Sequence, residues 1–151
     1  MVLVEPEIPQ NTGNVARTCA LTGSTLHLVE PLGFSLEDRY LKRAGLDYWD
    51  KLTLKVYPSF ETLQENYQEA AFFFFSTRAS AFYTPVNYLP GSFLVFGSET
   101  KGLPAVILDK FPGSLYRVPM KKGTGRSLNL SNTAALVLYE ALRINGFPNM
   151  Q

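Results

Sequence analysis

Short apolar segments alternate with helical patterns along almost the whole chain, and this alternation is the strongest constraint on its fold. The strand-like segments are Val2–Val4, Thr25–Glu30, Leu52–Val56, Ala71–Ser76, Ser92–Phe96 and Leu115–Val118. The helical patterns are Gly13–Leu21, Leu36–Ala44, Phe60–Glu69, Leu103–Asp109 and Leu128–Ile144. Such alternation predicts an α/β domain whose mostly parallel sheet carries helices on both faces. We find no linker or repeat, so residues 1–151 are expected to form one domain.

Two of the predicted strands contain unbroken apolar runs, FFFF at Phe72–Phe75 and FLVF at Phe93–Phe96. Central parallel strands have this composition because helices cover both faces of the sheet. An aromatic run can also form a platform on which bases stack. Burial in the centre of the sheet is the favoured interpretation.

The net charge of +1 provides no overall electrostatic attraction for a polyanion, so a nucleic-acid partner would need a local patch. Two small basic clusters could supply one. They comprise Arg39, Lys42 and Arg43, and then Lys121, Lys122 and Arg126. Either cluster could equally be an ordinary solvated face.

The single cysteine, Cys19, excludes an intramolecular disulfide and favours a reduced, cytosolic setting. With one histidine and no CxxC motif, we expect no metal site. His27 lies in a predicted strand and is expected to be structural. The N-terminus has no basic segment before an apolar core, and no apolar run is long enough to span a bilayer. These features predict a soluble, cytoplasmic protein.

Three loops that follow predicted strands are rich in Gly, Pro, Asn and Ser. They are EPEIPQNTGNVART after the first strand, GSETKGLP after Phe96, and PMKKGTGRSLNLSN after Val118. In open α/β sheets, ligands bind beyond the carboxyl ends of the strands. Because all three loops are predicted at that edge, they indicate a binding site there.

The two glycine-rich loops do not match phosphate-binding motifs. Gly97 and Gly102 have the spacing of a P-loop, but Leu103 and Pro104 replace its lysine and its serine or threonine, which disfavours an NTPase. GTGRSL is not G-x-G-x-x-G and opens the last helix, so a dinucleotide site is weakly supported. A ligand with a nucleoside and an amino-acid part but no phosphates would suit such loops. S-adenosylmethionine fits this description, although composition alone does not select it.

The first loop leads into a helix that could bind a phosphate. Asn11 or Thr12 can cap this helix, Gly13 allows close backbone approach, and Arg17 lies one turn after Gly13 and Asn14. A helix N-terminus with a nearby arginine suits a phosphate or ribose-phosphate group. The alternative is that Asn11 is only a cap and Arg17 only a surface residue.

Together the three loops resemble the motifs of the SPOUT superfamily of RNA methyltransferases, and most closely its SpoU branch, which methylates ribose 2′-hydroxyls. Asn11–Thr18 matches N-x-G-N-x-x-R-T, and Phe96–Leu103 matches F-G-x-E-x-x-G-L. Ser127–Ala135 matches S-L-N-L-S-x-A-x-A in part, because Thr133 replaces the first alanine. The segments EPEIPQNTGN, HLVEPLGF and RAGLDYWD resemble the small single-domain members that modify the wobble nucleotide of certain tRNA-Leu species.

The resemblance implies S-adenosylmethionine-dependent methylation of the wobble cytidine or 5-carboxymethylaminomethyluridine in tRNA-Leu. It implies binding of the anticodon stem-loop, a cytoplasmic homodimer and no metal. It also implies that the C-terminal segment threads a loop to form a deep trefoil knot, a rare exception to unthreaded connections. The last helix agrees with a dimer, because AALVLYEAL is apolar around most of its circumference. Deep burial within one chain is the competing explanation.

By the matched motifs, Arg17, Asn11 and Ser127 are the catalytic candidates. Arg17 would contact the 2′-hydroxyl and stabilise a developing alkoxide, because arginine does not give up its proton in proteins. Asn11 would orient the hydroxyl or a neighbouring phosphate. Ser127 would hold an RNA phosphate or order the cofactor loop.

The remaining candidates divide into two groups. The cofactor-binding residues implied are Phe75, Ser76, Thr77, Gly97, Glu99, Gly102, Val118, Met120, Ser127 and Leu128. The RNA-binding residues implied are Lys42, Arg43, Lys121, Lys122, Arg126 and Asn129. For Glu99, capping or bracing the knot and reaching across the dimer are structural alternatives. A ribosomal RNA methyltransferase and a non-catalytic knotted RNA-binding protein remain open as alternative functions.

Overall fold

The computed structural model describes residues 1–37, 48–121, 123, 125 and 127–151. Its strands are β1 (Val2–Val4), β2 (Leu26–Val29), β3 (Leu54–Tyr57), β4 (Phe72–Phe75), β5 (Ala81–Phe82), β6 (Phe93–Phe96) and β7 (Leu115–Arg117). Its described helices are α1 (Pro9–Thr22), α2 (Phe60–Asn66), α3 (Ala105–Lys110) and α4 (Leu130–Ile144), with 3₁₀ turns at Trp49–Lys51 and Pro112–Ser114. The sequence missed β5, because a strand of two residues is too short to show a period.

Most element boundaries differ from the predicted ones by a few residues. The helix α1 begins at Pro9 rather than Gly13, since proline is well suited to the first helical position. The strand β3 begins at Leu54 rather than Leu52, after a 3₁₀ turn that ends at Lys51. The predicted helix Leu36–Ala44 lies mostly outside the described residues.

The seven strands form one sheet in the order β3-β2-β1-β6-β4-β7-β5, and every paired strand is parallel. In register, Leu3 pairs with Leu28 on one side and with Phe96 on the other. Phe75 likewise lies between Phe96 and Tyr116. Parallel pairing puts the carboxyl ends of β1, β6, β4 and β7 side by side, which brings the loops that follow them to one edge.

The core lies on both faces of this sheet. On one face, Val15 and Cys19 of α1 and Val137 of α4 belong to one buried cluster. On the other face, Leu63 of α2 and Ile107 of α3 belong to a second. Successive side chains of a strand point to opposite faces, so each inner strand contributes side chains to both clusters. The predicted α/β class, with helices on both faces of a parallel sheet, is confirmed.

The phenylalanine run of β4 is directed into these two clusters. Phe74 is buried and stacks on Phe111, with ring centres 4.6 Å apart. Phe75 is buried on the opposite face and stacks on Phe96 at 4.8 Å. Phe72 and Phe73 are only half-buried. Aromatic packing in the core therefore accounts for the run better than a base-stacking platform.

The only histidine and the only cysteine of the chain are both buried. The Nδ1 atom of His27 lies 3.2 Å from the hydroxyl of Tyr57. Burial, followed by the N-terminal ammonium group and Lys55, lowers the pKa of His27 to about 4. Burial raises the pKa of the Cys19 thiol to about 11. Both side chains are therefore uncharged parts of the core at neutral pH, in agreement with the structural role expected of His27.

Candidate functional site

A cavity of about 430 Å³ opens at the carboxyl ends of β4, β6 and β7 and is bordered by the beginning of α4. Its walls come from the loops after these strands and from the segment that precedes α4. The predicted cofactor-binding residues all lie in this lining: Phe75, Ser76, Thr77, Gly97, Glu99, Gly102, Val118, Met120, Ser127 and Leu128. The structure thus brings together three segments that are far apart in the chain. Their contact with a cofactor stays a prediction.

The loop after β6 folds back on itself between its two glycines. Ser98 and Gly102 exchange backbone hydrogen bonds of 3.2 and 3.0 Å. A Cβ atom on Gly97 would collide with the backbone of Gly102 and Leu103, and Gly102 has a φ of +72°. Backbone crowding therefore explains the P-loop-like spacing of these glycines without any phosphate.

Glu99 caps α1 from this loop. Its carboxylate accepts hydrogen bonds from the backbone N–H groups of Glu7 at 2.8 Å and Ile8 at 3.2 Å, and from the amide of Asn11 at 3.0 Å. These donors lie at the positive end of the helix, where a carboxylate is favoured. The structure supports the capping alternative for Glu99.

The predicted capping of α1 by Asn11 or Thr12 is wrong. The N-cap residue is Ile8, which has no side-chain cap, and Asn11 lies within the first turn. Glu99, which is distant in the sequence, caps the helix instead. A second hydrogen bond joins the same two segments with donor and acceptor exchanged. The carboxylate of Glu7 accepts it from the backbone N–H of Thr100 at 3.1 Å.

A second side chain, Asn129, links the beginning of α4 to the beginning of α1. The Nδ2 group of Asn129 donates to Oδ1 of Asn11 at 2.9 Å. The Oδ1 atom of Asn129 caps α4, accepting from the backbone N–H groups of Ser131 at 2.8 Å and Asn132 at 3.3 Å. Glu99, Asn11 and Asn129 therefore form a chain of hydrogen bonds through all three motif loops. An RNA contact by Asn129 would compete with these bonds.

The cavity has an apolar part and a cationic part. The stacked rings of Phe75 and Phe96 line it together with Leu128, which is 41% exposed. Among the described residues, three cationic side chains also line it: Arg78, Lys101 and Arg117. The carboxylate of Glu99 is already occupied by three N–H donors. The site can therefore accept a planar apolar ring and an anionic group.

Arg117 is one of several lining residues that no sequence motif marks. Its Nε atom is buried and has no hydrogen-bond partner among the described residues. The signal in the sequence is a charged residue at the end of a predicted strand, next to Val118. Without a motif to mark it, such a residue cannot be distinguished from one that points into solvent.

Arg17 is not brought into the cavity of its own chain. It is exposed on α1, and its Cζ atom lies 5.0 Å from the centre of the Tyr48 ring. With 1.5 Å rise per residue, it is about 9 Å further along the helix axis than Asn11. Lys121 is exposed beyond Met120. Four RNA-binding candidates lie outside the described residues: Lys42, Arg43, Lys122 and Arg126.

Two further properties concern the described part of the chain only. None of its helices combines the length and the apolar character needed to cross a membrane. Within the same residues, His, Cys, Asp and Glu form no group of three or more that could hold a metal ion.

Parallel strands whose following loops converge on a cavity at their carboxyl edge place the chain among the α/β proteins, and comparison with known proteins specifies its family. Residues 1–139 match the SpoU rRNA Methylase family, and the chain belongs to this family. The resemblance based on the three loop motifs is therefore confirmed.

Individual relatives agree with this assignment. The chain is 49% identical over 150 residues to the tRNA (cytidine(34)-2′-O)-methyltransferase of Burkholderia ambifaria, covering 97% of this chain and 96% of the relative. A solved structure that concerns the 2-OH methylation of C/U34 on tRNA matches with a TM-score of 0.90 and 44% identity, covering 96% of this chain and 94% of the other. An AdoMet-bound rRNA methyltransferase from Sinorhizobium meliloti matches with a TM-score of 0.83 and 25% identity, covering 94% of this chain and 54% of the other.

Proposed function

We propose that this protein is an S-adenosylmethionine-dependent enzyme that methylates the ribose 2′-hydroxyl of nucleotide 34 in a tRNA. The observation that carries the proposal is the convergence of three motif loops on one cavity at the carboxyl edge of the sheet. The near-complete alignment with a tRNA (cytidine(34)-2′-O)-methyltransferase supports the substrate. Within that class, the proposed target is the wobble cytidine or 5-carboxymethylaminomethyluridine of tRNA-Leu.

The residues of the cavity fit the proposed cofactor. A volume of about 430 Å³ is ordinary for a small-molecule site. The rings of Phe75 and Phe96, together with Leu128, offer an apolar surface to adenine, and the unpartnered Nε of Arg117 offers a donor. The sulfonium of S-adenosylmethionine supplies an already activated methyl group. The proposed reaction therefore includes no metal.

The proposal includes a trefoil knot at the C-terminal end of the sheet. Two observations support it: the segment Ser127–Leu130 lines the same cavity as the loop after β6, and Asn129 contacts Asn11. In a knotted chain, the segment before α4 would pass through a loop formed by earlier residues. Such threading would hold the cofactor loops in a fixed arrangement.

The chain would promote methyl transfer by orienting the ribose and stabilising charge on its oxygen. Arg17 would stabilise the developing alkoxide electrostatically. Because Arg17 is exposed and lies outside the cavity lining of its own chain, this role requires that the reacting 2′-oxygen be held beside the cofactor of a second copy. Asn11 would act by holding Glu99 and Asn129 in place, since its amide contacts both. Ser127 lines the cavity and would contact an RNA phosphate or order the cofactor loop.

We also propose a homodimer that uses α4. Leu136 and Tyr139 of this helix are 46% and 44% exposed, so burial within one chain does not account for its apolar circumference. The adjacent helix α1 leaves Leu21 exposed as well. A second copy would cover these side chains. The anticodon stem-loop would contact Lys42, Arg43, Lys121, Lys122 and Arg126, and the enzyme would act in the cytoplasm.

Transfer of a labelled methyl group from S-adenosylmethionine into total tRNA, followed by nuclease mapping, tests the function. We expect label in the 2′-O-methyl group of nucleotide 34 of tRNA-Leu. Labelling of ribosomal RNA instead would identify a ribosomal RNA methyltransferase. Absence of cofactor binding by calorimetry would identify a non-catalytic RNA-binding protein.

A further inference from the structure

The buried Nε atom of Arg117 has no partner in the described structure, although the residue lines the cavity. A buried N–H donor without an acceptor is costly, and native proteins usually satisfy such groups. Arg117 forms no ion pair with Glu99, the acidic residue of the same lining, whose oxygens accept hydrogen bonds from α1. The unsatisfied donor therefore indicates an acceptor that the described residues of the protein do not provide.

The position of Arg117 in β7 separates it from the apolar part of the cavity. Its neighbour Tyr116 packs with Phe73 and Phe75 on the face covered by α1 and α4. Since side chains alternate along a strand, Arg117 is directed to the opposite face. Leu103 and Leu108 line the cavity too and belong to the cluster on that face. The cavity is thus divided between a stacked aromatic surface and a guanidinium.

We propose that Arg117 binds the carboxylate of the methionine part of the cofactor and thereby determines specificity for the amino-acid end of the ligand. This inference rests on the proposed function. S-adenosylmethionine contains one anionic group, its carboxylate, whereas its sulfonium and ammonium groups would be repelled by a guanidinium. A planar fork of N–H donors matches a carboxylate in geometry, and a charge-assisted bond of this kind is strong. An RNA phosphate is the competing acceptor.

A pair of ligands that differ only in the carboxylate tests the proposal without an activity measurement. S-adenosylhomocysteine and its decarboxylated analogue are titrated into the protein by calorimetry. We expect the wild-type protein to prefer S-adenosylhomocysteine by about 10- to 100-fold, as a charge-assisted hydrogen bond predicts. Arg117→Met should abolish this preference by weakening only the complete ligand. Arg117→Lys should retain part of it, because the charge remains and the fork is lost.

Arg78→Met is the matched control, because Arg78 lines the same cavity but is exposed. It should leave the ratio of the two affinities unchanged within about twofold, since an exposed charge is screened by solvent. Equal affinities in the wild-type protein would overturn the proposal even if Arg117→Met failed to fold. An unchanged ratio in Arg117→Met, with weaker tRNA binding, would overturn it in favour of a phosphate contact. Failure of the wild-type protein to bind either ligand would contradict the proposed function itself.

Discussion

The side-chain amide of Asn129 donates a hydrogen bond of 2.9 Å to the side-chain oxygen of Asn11, which lies 118 positions earlier in the chain. Asn11 in turn donates to Glu99 at 3.0 Å. Through this chain, the beginnings of α1 and α4 and the loop after β6 are held in one arrangement. The shape of the cavity therefore depends on a few polar side chains as well as on the sheet beneath it.

Two replacements of Asn129 distinguish the contribution of its cap on α4 from that of its contact with Asn11. Asn129→Ser should keep the cap and lose the contact, whereas Asn129→Ala should lose both. We expect the alanine variant to lose about 1–3 kcal/mol of unfolding free energy in urea, and the serine variant roughly 1 kcal/mol less. A double-mutant cycle with Asn11→Ala should reveal coupling. Strict additivity of Asn129→Ser and Asn11→Ala would contradict the contact.

Glu99→Gln should destabilise the protein by about 1–3 kcal/mol, because one carboxylate oxygen is replaced by a donor that faces the N–H groups of α1. Urea unfolding measures the change. Glu69→Gln is the control, since Glu69 is exposed and has no described hydrogen bond through its side chain. If both substitutions had equally small effects, Glu99 would not be an effective cap.

Gly97→Ala should disrupt the loop after β6, because its Cβ would collide with backbone atoms that cannot move independently. We expect S-adenosylhomocysteine binding to weaken by at least about tenfold, with a lower free energy of unfolding. Gly113→Ala is the comparison, since a Cβ there meets no atom within 4 Å. Normal calorimetric binding by Gly97→Ala would show that the loop can rearrange without loss of the site.

Arg17 should affect turnover without affecting cofactor affinity, because it lies outside the lining of the cavity. Arg17→Ala should reduce kcat by roughly 100-fold or more, the range found when a charge-stabilising donor is removed. Arg17→Lys should also lose much of the rate, since a fork of donors becomes a point charge. Single-turnover methylation and calorimetry with S-adenosylhomocysteine measure the two quantities. Near-normal turnover by both variants would remove Arg17 from the mechanism.

The free energy of unfolding should decrease as the pH falls from about 6.5 to about 4, which are the pKa values of His27 in the unfolded and the folded chain. Its pKa in the folded protein is about 4, below the ordinary value of 6.5, so between these values the unfolded chain binds a proton that the folded chain does not. The stabilisation is therefore complete above pH 6.5 and is lost towards pH 4. Urea midpoints at pH 7 and pH 5 should differ less in His27→Gln than in the wild-type protein. An identical pH response in the two proteins would contradict this account.

The sequence alone determined the fold class, the order of the long elements that the structure describes, and which loops surround the cavity. These features are encoded locally. Apolar runs such as Phe93–Phe96 specify buried parallel strands, and parallel strands bring the loops that follow them to one edge of the sheet. The convergence of the loops that follow Val4, Phe96 and Val118 could therefore be predicted without any knowledge of long-range contacts, whereas the place of Phe75 was implied only by the family resemblance.

Only the tertiary structure decided how those loops are held and where their individual side chains lie. The sequence predicted that Asn11 or Thr12 caps α1, whereas Glu99 does so from the loop after β6. The motif resemblance implied a catalytic role for Arg17, which stays a prediction because Arg17 lies outside the cavity of its own chain, and no motif marked the donor of Arg117 that is unpartnered among the described residues. The physical reason is that a hydrogen bond depends on distance and direction in space. Residues separated by about ninety positions or more, such as Glu99 and Asn11, leave no periodic trace in the sequence.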